Sequence, residues 1–140
     1  MKKRNLFLMA LFVLPVLVLV ACSGGTSVSV VGDWALSSYG EASNLTDAAP
    51  NVETSINFDE KGQFGGNVGC NSFGAEYKVD GDQIVFGSII STMMFCDETS
   101  AQESAVLGIL SDKTVKYQVD GDQLKITSSD GASAIVLVRK

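Results

Sequence analysis

Two acidic turns carry the residues best suited to metal chemistry in this 140-residue chain. The decapeptides YKVDGDQIVF (residues 77–86) and YQVDGDQLKI (residues 117–126) share the core VDGDQ. An EF-hand calcium loop also needs an oxygen ligand at its fifth position, a glycine at its sixth and a glutamate at its twelfth. Both copies fail at these places. We therefore predict no EF-hand, and only weak surface binding of an ion stays open, at the carboxylates of Asp80, Asp82, Asp120 and Asp122.

The same decapeptides predict two β-hairpins. Asp-Gly is a strong hairpin signal, because its residues accept the positive φ angles of tight turns. Apolar and polar residues alternate on both sides of each turn, and alternation gives each arm one buried face. The sequence similarity ends with the decapeptides, so we predict no longer repeat.

Catalytic residue patterns are weak in this chain. It contains no histidine, which excludes the Ser-His and Cys-His arrangements of nucleophilic catalysis. Its lysines fall at predicted turns or at outward strand positions, whereas an activated lysine should be desolvated. Most acids fall at turns, which does not favour a two-carboxylate glycosidase. We expect no enzyme activity, no metal and no cofactor.

The N-terminal segment has the composition of an export signal. Lys2, Lys3 and Arg4 precede an apolar stretch, and Leu19-Val20-Ala21-Cys22 resembles a bacterial lipobox. This resemblance implies a signal peptide over residues 1–21, acylation of Cys22 by fatty acids such as palmitate, and a flexible tether over residues 22–29. A single domain then spans residues 30–140. An ordinary signal peptide or an uncleaved anchor is the alternative.

Lipid anchoring and acidity limit the partners. Several acyl chains give stable membrane anchoring, so we expect a protein on the extracytoplasmic face of the cell envelope. In many bacteria with two membranes, an aspartate directly after the acylated cysteine retains a lipoprotein at the inner membrane. This chain has Ser23 at that position, which favours the outer membrane if the source has two membranes. The sixteen acidic residues outnumber the ten basic ones, so we expect no nucleic-acid partner. We also expect a monomer.

Export changes the interpretation of the other two cysteines. Cys70 and Cys96 would lie in an oxidising compartment, where an even number of thiols favours pairing. We predict a Cys70–Cys96 disulfide. Two buried free thiols, packed as small hydrophobic residues, are the alternative.

The remaining segments predict strands around one helix. The helix is predicted at about residues 100–111, because Thr99 and Ser100 can cap it and Ser100-x-x-Glu103 has the spacing of a capping box. Val106, Leu107 and Leu110 form its apolar stripe, which we expect to pack in the core. Residues 40–51 are predicted as a polar loop. The fold class is α+β, strongly β-weighted, as a curled antiparallel sheet or a partly closed barrel of hairpins.

The spacing of several motifs resembles the META domain family, which includes the HslJ-type heat-shock lipoproteins. The resemblance covers residues 32–138 and departs from the family pattern at Phe95, where a small residue or methionine is common. It implies a small β-rich domain with a single helix, with links to heat shock and antibiotic tolerance and no established catalytic activity. The matching positions are Trp34, Leu36, Phe58, Gly62, Gly69, Cys70, Asn71, Thr92, Met94, Cys96, Glu103 and Leu110.

Two functions are compatible with these observations. The first is a tethered, stress-related interaction module that contacts an envelope protein through the region of Cys70 and Cys96. The second is a half-closed barrel that holds a small apolar or lipid-like ligand. The candidate contact or family-motif residues are Asn71, Thr92, Met94 and Phe95, and exposure of Met94 and Phe95 would mark a contact surface.

Overall fold

The computed structural model describes residues 29–140. Three predicted features lie outside these residues: the signal peptide, the acylation of Cys22 and nearly all of the tether. No helix in this described range is long and apolar enough to cross a lipid bilayer. It contains one helix, α1 (Ser100–Leu110), and ten strands: β1 (Gly32–Glu41), β2 (Asn44–Asp47), β3 (Ser55–Phe58), β4 (Gln63–Asn67), β5 (Ser72–Asp80), β6 (Gln83–Phe86), β7 (Ile90–Ser91), β8 (Thr114–Asp120), β9 (Gln123–Thr127) and β10 (Ser133–Arg139).

Eight of the ten strands form one closed antiparallel barrel. The order around it is β1, β3, β4, β5, β6, β8, β9 and β10, and β10 pairs with β1 to close the sheet. In that closing pair, Trp34 lies opposite Arg139 and Glu41 lies opposite Ser133. The strands β2 and β7 are additions that pair with β1 and β5. The predicted β-weighted α+β class with one short helix is confirmed, and the sheet closes completely.

Apolar side chains fill the interior of the barrel. Buried residues alternate along the strands, as in β3, where Ile56 and Phe58 are fully buried and Asn57 between them is exposed. The rings of Phe58, Phe64 and Phe86 pack together, with centroid distances of 4.8 to 6.4 Å. A barrel of eight strands has an interior that side chains alone can fill. A ligand held inside the barrel would therefore have to displace the protein's own core.

Both predicted hairpins form, and their turns lie one residue later than the Asp-Gly pair suggests. Asp80 pairs with Gln83, and Asp120 pairs with Gln123. The two-residue loops are therefore Gly-Asp, with φ of 62° at Gly81 and 57° at Gly121. A positive φ at the first loop residue alone is the geometry of a type II′ turn. Within residues 29–140, no group of three or more His, Cys, Asp or Glu side chains is placed to hold a metal ion.

The segment predicted as a polar loop over residues 40–51 contains a strand. β1 continues to Glu41, and β2 folds back on it, with Tyr39 opposite Thr46. The prediction was wrong because β2 lies outside the closed barrel and buries no side chain fully. Without a buried face its sequence shows no apolar alternation, and its backbone pairing with β1 maintains it.

The helix forms where it is predicted, and its apolar stripe packs against the core, although Leu107 is only half-buried. Val106 and Leu110 are fully buried, and the helix contacts β1 and β10. Its N-cap residue is Thr99, but no side chain caps the helix. The Glu103 carboxylate instead accepts hydrogen bonds from Cys70 and Asn71 in the loop after β4. The predicted capping box is therefore absent, because Glu103 serves a different structural purpose.

Antiparallel pairing separates the barrel into two ends. The turn end carries the start of β1 at Gly32 and three hairpin turns, at residues 59–62, 81–82 and 121–122. The helix end carries α1, β7 and the loop between β4 and β5. The chain therefore enters the barrel at the turn end, opposite the helix end.

Candidate functional site

The loop between β4 and β5, residues 68–71, contains the Gly-Cys-Asn motif. Asn67, the last residue of β4, orders the loop, because its amide nitrogen donates to the Cys70 carbonyl (3.1 Å) and its amide oxygen accepts from the Gly69 N–H (2.8 Å). A Cβ on Gly69 would lie 2.6 Å from the Cβ of Thr99. Only glycine therefore allows this loop to approach the N-terminus of α1 so closely.

The Asn71 side chain is the centre of a hydrogen-bond network at the helix end. It is 7% exposed and uses its full hydrogen-bonding capacity. Its Nδ2 donates to the Met94 carbonyl and to Glu103 Oε2, both at 2.9 Å. Its Oδ1 accepts from Thr92 Oγ1 (2.9 Å) and from the Met94 N–H (2.7 Å). Asn71 therefore binds the segment after β7 to the helix.

Glu103 and Gln102 connect α1 to the loop at residues 68–71. Glu103 Oε1 accepts the backbone N–H groups of Cys70 and Asn71. Gln102 Nε2 donates to the Val68 carbonyl (2.5 Å), and Gln102 Oε1 accepts from the Ala49 N–H (2.7 Å). Gln102 was not predicted from the sequence. Its position four residues before Val106 on the buried face could have revealed it, since a polar residue on an apolar stripe needs a buried partner.

A disulfide completes this framework. Cys70 and Cys96 are bonded, with their Cα atoms 6.1 Å apart and a sequence separation of 26 residues. The predicted disulfide is confirmed. It fixes the end of a segment that we call the Met-Phe loop, residues Ile90–Cys96. The other end of this loop is fixed by β7, which pairs with Phe73 and Gly74 of β5.

The Met-Phe loop exposes four large apolar side chains. The exposed fractions are 78% for Ile90, 97% for Met93, 60% for Met94 and 85% for Phe95. Thr92 is also exposed, although its hydroxyl belongs to the Asn71 network. Of the four candidate contact residues, Thr92, Met94 and Phe95 therefore lie on an accessible surface. Asn71 lies beneath them and positions them.

Three open depressions surround the Met-Phe loop. One of about 540 Å³ lies between the loop and α1 and is lined by Met94, Phe95 and Leu107. One of about 480 Å³ lies beyond Cys96 and is lined by acidic side chains, those of Glu53, Asp97 and Glu98. One of about 550 Å³ lies beside Ile90 along β4 and β5. Cys96 lines both of the first two, which makes them neighbours.

The ionisable groups with shifted pKa values have structural partners. Burial raises the pKa of Tyr77, with a smaller contribution from Asp59, and the Tyr77 hydroxyl donates to the Asp59 carbonyl. Hydrogen bonds from Ser128 and the Ala132 N–H lower the pKa of Asp130 in the turn before β10. For Glu103, burial would raise the pKa, but hydrogen bonds from the Asn71 backbone, the Asn71 side chain and the Cys70 backbone outweigh it and lower the pKa. These arrangements stabilise loops and place no free base beside a nucleophile.

The lowered pKa of Glu103 predicts a pH dependence of stability. A carboxyl with a lower pKa in the folded state stabilises the fold above its unfolded pKa, and this contribution is lost as pH falls through the folded pKa. The Glu103→Gln variant keeps the shape but not the charge. We expect it to be less stable than the wild type at pH 7, and the difference to shrink below about pH 4.

Urea unfolding of both proteins at a series of pH values measures this difference. Glu60→Gln is a suitable control, since Glu60 is exposed at the turn of residues 59–62. Its stability should stay close to that of the wild type at every pH. A gap between Glu103→Gln and the wild type that remains constant down to pH 3 would contradict the prediction.

The barrel is similar to several solved structures. A protein from Burkholderia xenovorans, solved by NMR, is 20% identical, with 78% of this chain and 81% of that chain covered and a TM-score of 0.63. A second protein solved by NMR is 17% identical, with 76% and 87% covered and a TM-score of 0.58. The crystal structure of a DUF4847 family protein from Bacteroides vulgatus is 13% identical, with 78% and 92% covered and a TM-score of 0.58. At these identities the similarity concerns the fold alone.

The sequence itself identifies a family. Among curated proteins, none matches this chain. The sequence model of the META domain matches residues 28–140, which include every described residue. The motif positions Gly69, Cys70, Asn71, Cys96 and Glu103 meet in the structure as one framework beneath the Met-Phe loop. The chain belongs to the META domain family.

Proposed function

We propose that this protein is a lipid-anchored component of the bacterial cell envelope whose META domain is a non-enzymatic interaction module used under stress. The observation that carries the proposal is the exposed Met-Phe loop. Large apolar side chains that share one small area of a surface often mark a site of protein contact. Here they are Ile90, Met93, Met94 and Phe95.

The framework beneath the loop supports a binding role. The disulfide, the Asn71 network and the β7–β5 pairing restrict the backbone of the loop before any partner arrives. A surface that is ordered in advance loses less conformational entropy on binding. An interaction module gains affinity from such an arrangement, whereas folding alone does not require exposed methionines and phenylalanine.

The position of the loop agrees with an anchor at Cys22. The described chain enters the barrel at the turn end, and the Met-Phe loop lies at the helix end. With Cys22 acylated, the turn end is closer to the membrane along the chain, and the loop is presented away from it. The lipobox-like sequence supports the anchor, and the link of the META family with heat shock and antibiotic tolerance supports the role in stress.

Several features support a non-enzymatic role. The sequence has no histidine. The Glu103 carboxylate already accepts hydrogen bonds from Cys70 and Asn71. Cys70 and Cys96 are joined in a disulfide. Family membership supports the same conclusion, since catalytic activity is not established for META domains.

Site-specific photo-crosslinking in cells tests the proposal. The full chain carries p-benzoylphenylalanine in place of Phe95, and a control carries it in place of Gln118, an exposed position on β8. We expect a discrete crosslinked product from position 95 that increases under heat shock or antibiotic stress, and none from position 118. Equal crosslinking from both positions would contradict the proposal.

Labelling with a palmitate analogue tests the anchor in the same cells. The wild type should incorporate the label, and a Cys22→Ala variant should not. Incorporation that is independent of Cys22, or absent from both proteins, would contradict the lipoprotein part of the proposal.

A further inference from the structure

The surroundings of the Met-Phe loop are acidic. Among the described residues that line its three depressions, none is Lys or Arg, whereas Glu76, Asp97, Glu98 and Glu103 are present. Glu53 also lines one of them, but its carboxylate already lies 3.6 Å from Lys140 Nζ. Asp97 and Glu98 directly follow Cys96, and both are exposed. In the sequence, no basic residue occurs between Lys78 and Lys113. Complementary charge on a partner would therefore be positive.

Apolar and acidic surfaces adjoin at the disulfide. The depression lined by Met94, Phe95 and Leu107 and the depression lined by Asp97 and Glu98 share Cys96. An elongated segment lying across Cys96 could place apolar side chains on one side and cationic side chains on the other. Amphipathic helices bind apolar grooves in this way, and methionine adapts its shape to different partners.

The shape of the surface favours a polypeptide over other occupants. Binding sites for small molecules usually enclose most of the ligand, but Met93 and Phe95 project into solvent. Anionic lipid headgroups would be repelled by Asp97 and Glu98. A second copy of this chain would bring the same acidic residues together, which is unfavourable.

We propose that the Met-Phe loop docks an amphipathic segment of a partner protein that carries Lys or Arg beside its apolar residues. The apolar side of the segment packs on Met93, Met94, Phe95 and Leu107, which line one depression. Its cations face Asp97 and Glu98. This inference rests on the proposed function and adds the chemistry of the partner.

Fluorescence anisotropy with defined peptides tests the inference. The full lipidated chain is held in phosphatidylcholine nanodiscs, and the probe is a synthetic peptide of lysine and leucine patterned as an amphipathic helix. A peptide with glutamate in place of lysine is the matched control, and binding to empty nanodiscs is subtracted. We expect the lysine peptide to bind with an affinity that falls as salt increases, and the glutamate peptide not to bind.

Paired variants assign the binding to this surface. Met93→Ser with Phe95→Ser should weaken binding roughly 30-fold, by removing central apolar contacts. Asp97→Asn with Glu98→Gln should weaken it about tenfold and reduce its salt dependence. Asp80→Asn with Asp120→Asn makes the same change of charge at the turn end and should leave binding unchanged. Equal losses in both charge variants, or no loss in the apolar variant, would overturn the inference.

Binding of a membrane or of a second copy of the chain would give different results from binding of the lysine peptide. Binding of peptide-free phosphatidylglycerol vesicles through Phe95 would identify a membrane, and self-association through Phe95 would identify a second copy. Either result would overturn the inference. If position 95 crosslinks to a partner in cells and the lysine peptide does not bind, the proposed chemistry is wrong and the proposed function stands. If position 95 crosslinks no better than position 118, the proposed function is itself wrong.

Discussion

Replacing Asn71 by alanine should lower the free energy of unfolding by about 3 kcal/mol, because several buried polar groups would lose their partner at once. Asn71 is buried, and its amide bonds to the Met94 backbone, to Thr92 and to Glu103. The Glu103 carboxylate would keep its backbone donors but lose one side-chain donor. Chemical unfolding of wild type and variant measures the loss.

Asn57→Ala is the matched control for Asn71→Ala. Asn57 also makes a side-chain hydrogen bond, donated to Asp33 Oδ1 at 2.9 Å, but this pair is exposed. We expect a change of less than about 0.5 kcal/mol. Hydrogen exchange adds a local measurement, since amide protection near Met94 should fall in Asn71→Ala. Equal stability losses in both variants would show that the Asn71 network does not support the Met-Phe loop.

Removing the disulfide should have an effect of similar size. Replacing both Cys70 and Cys96 by serine opens a loop with a 26-residue separation, and the chain-entropy model gives about 3 kcal/mol for a loop of this length. The variant should also lose protection in the Met-Phe loop, because the loop is then fixed only by the Asn71 network and β7. Unfolding in urea measures the total loss, and hydrogen exchange measures the local one.

Reductant provides the control for this prediction. A reducing agent should destabilise the wild type to the level of the serine variant and should leave that variant unchanged. Thiol titration of unreduced, denatured protein should find neither Cys70 nor Cys96 free. Two free sulfhydryls, or a variant as stable as the wild type, would contradict the role given to the disulfide.

The local elements of the fold could be predicted from the sequence. The alternation around Val-Asp-Gly-Asp-Gln predicts both hairpins, because turn and strands lie in one short segment. The helix could be located from Thr99, Ser100 and its apolar stripe for the same reason. The disulfide followed from the predicted export and the even number of cysteines, although its effect on the Met-Phe loop required the structure.

The long-range features could not be predicted. Closure of the barrel joins β1 to β10 across most of the domain, and alternation within a strand does not specify its partner. The sequence pattern also assigned Glu103 to a capping box, because spacing alone cannot distinguish a local hydrogen bond from one to Asn71. The strand β2 was missed because its pairing involves the backbone and buries little.

The structure places several motif residues beneath the contact surface, whereas Met94 is both a motif residue and a contact residue. Gly69, Asn71 and Glu103 make internal contacts that hold the loop in place. Met93 lies between motif positions and is almost fully exposed, as is Phe95, where the chain departs from the family pattern. We infer that the framework maintains the conformation of the Met-Phe loop and that the exposed side chains of the loop determine which partner binds.

One comparison tests directly whether the Met-Phe loop serves contact or folding. It measures the Met93→Ser, Phe95→Ser double variant for stability and, with a photo-crosslinker in place of Met94, for capture of a partner in stressed cells. We expect that the free energy of unfolding changes by less than about 1 kcal/mol and that capture is lost. A loss of more than about 2 kcal/mol together with unchanged capture would contradict it, because the two side chains would then belong to the fold.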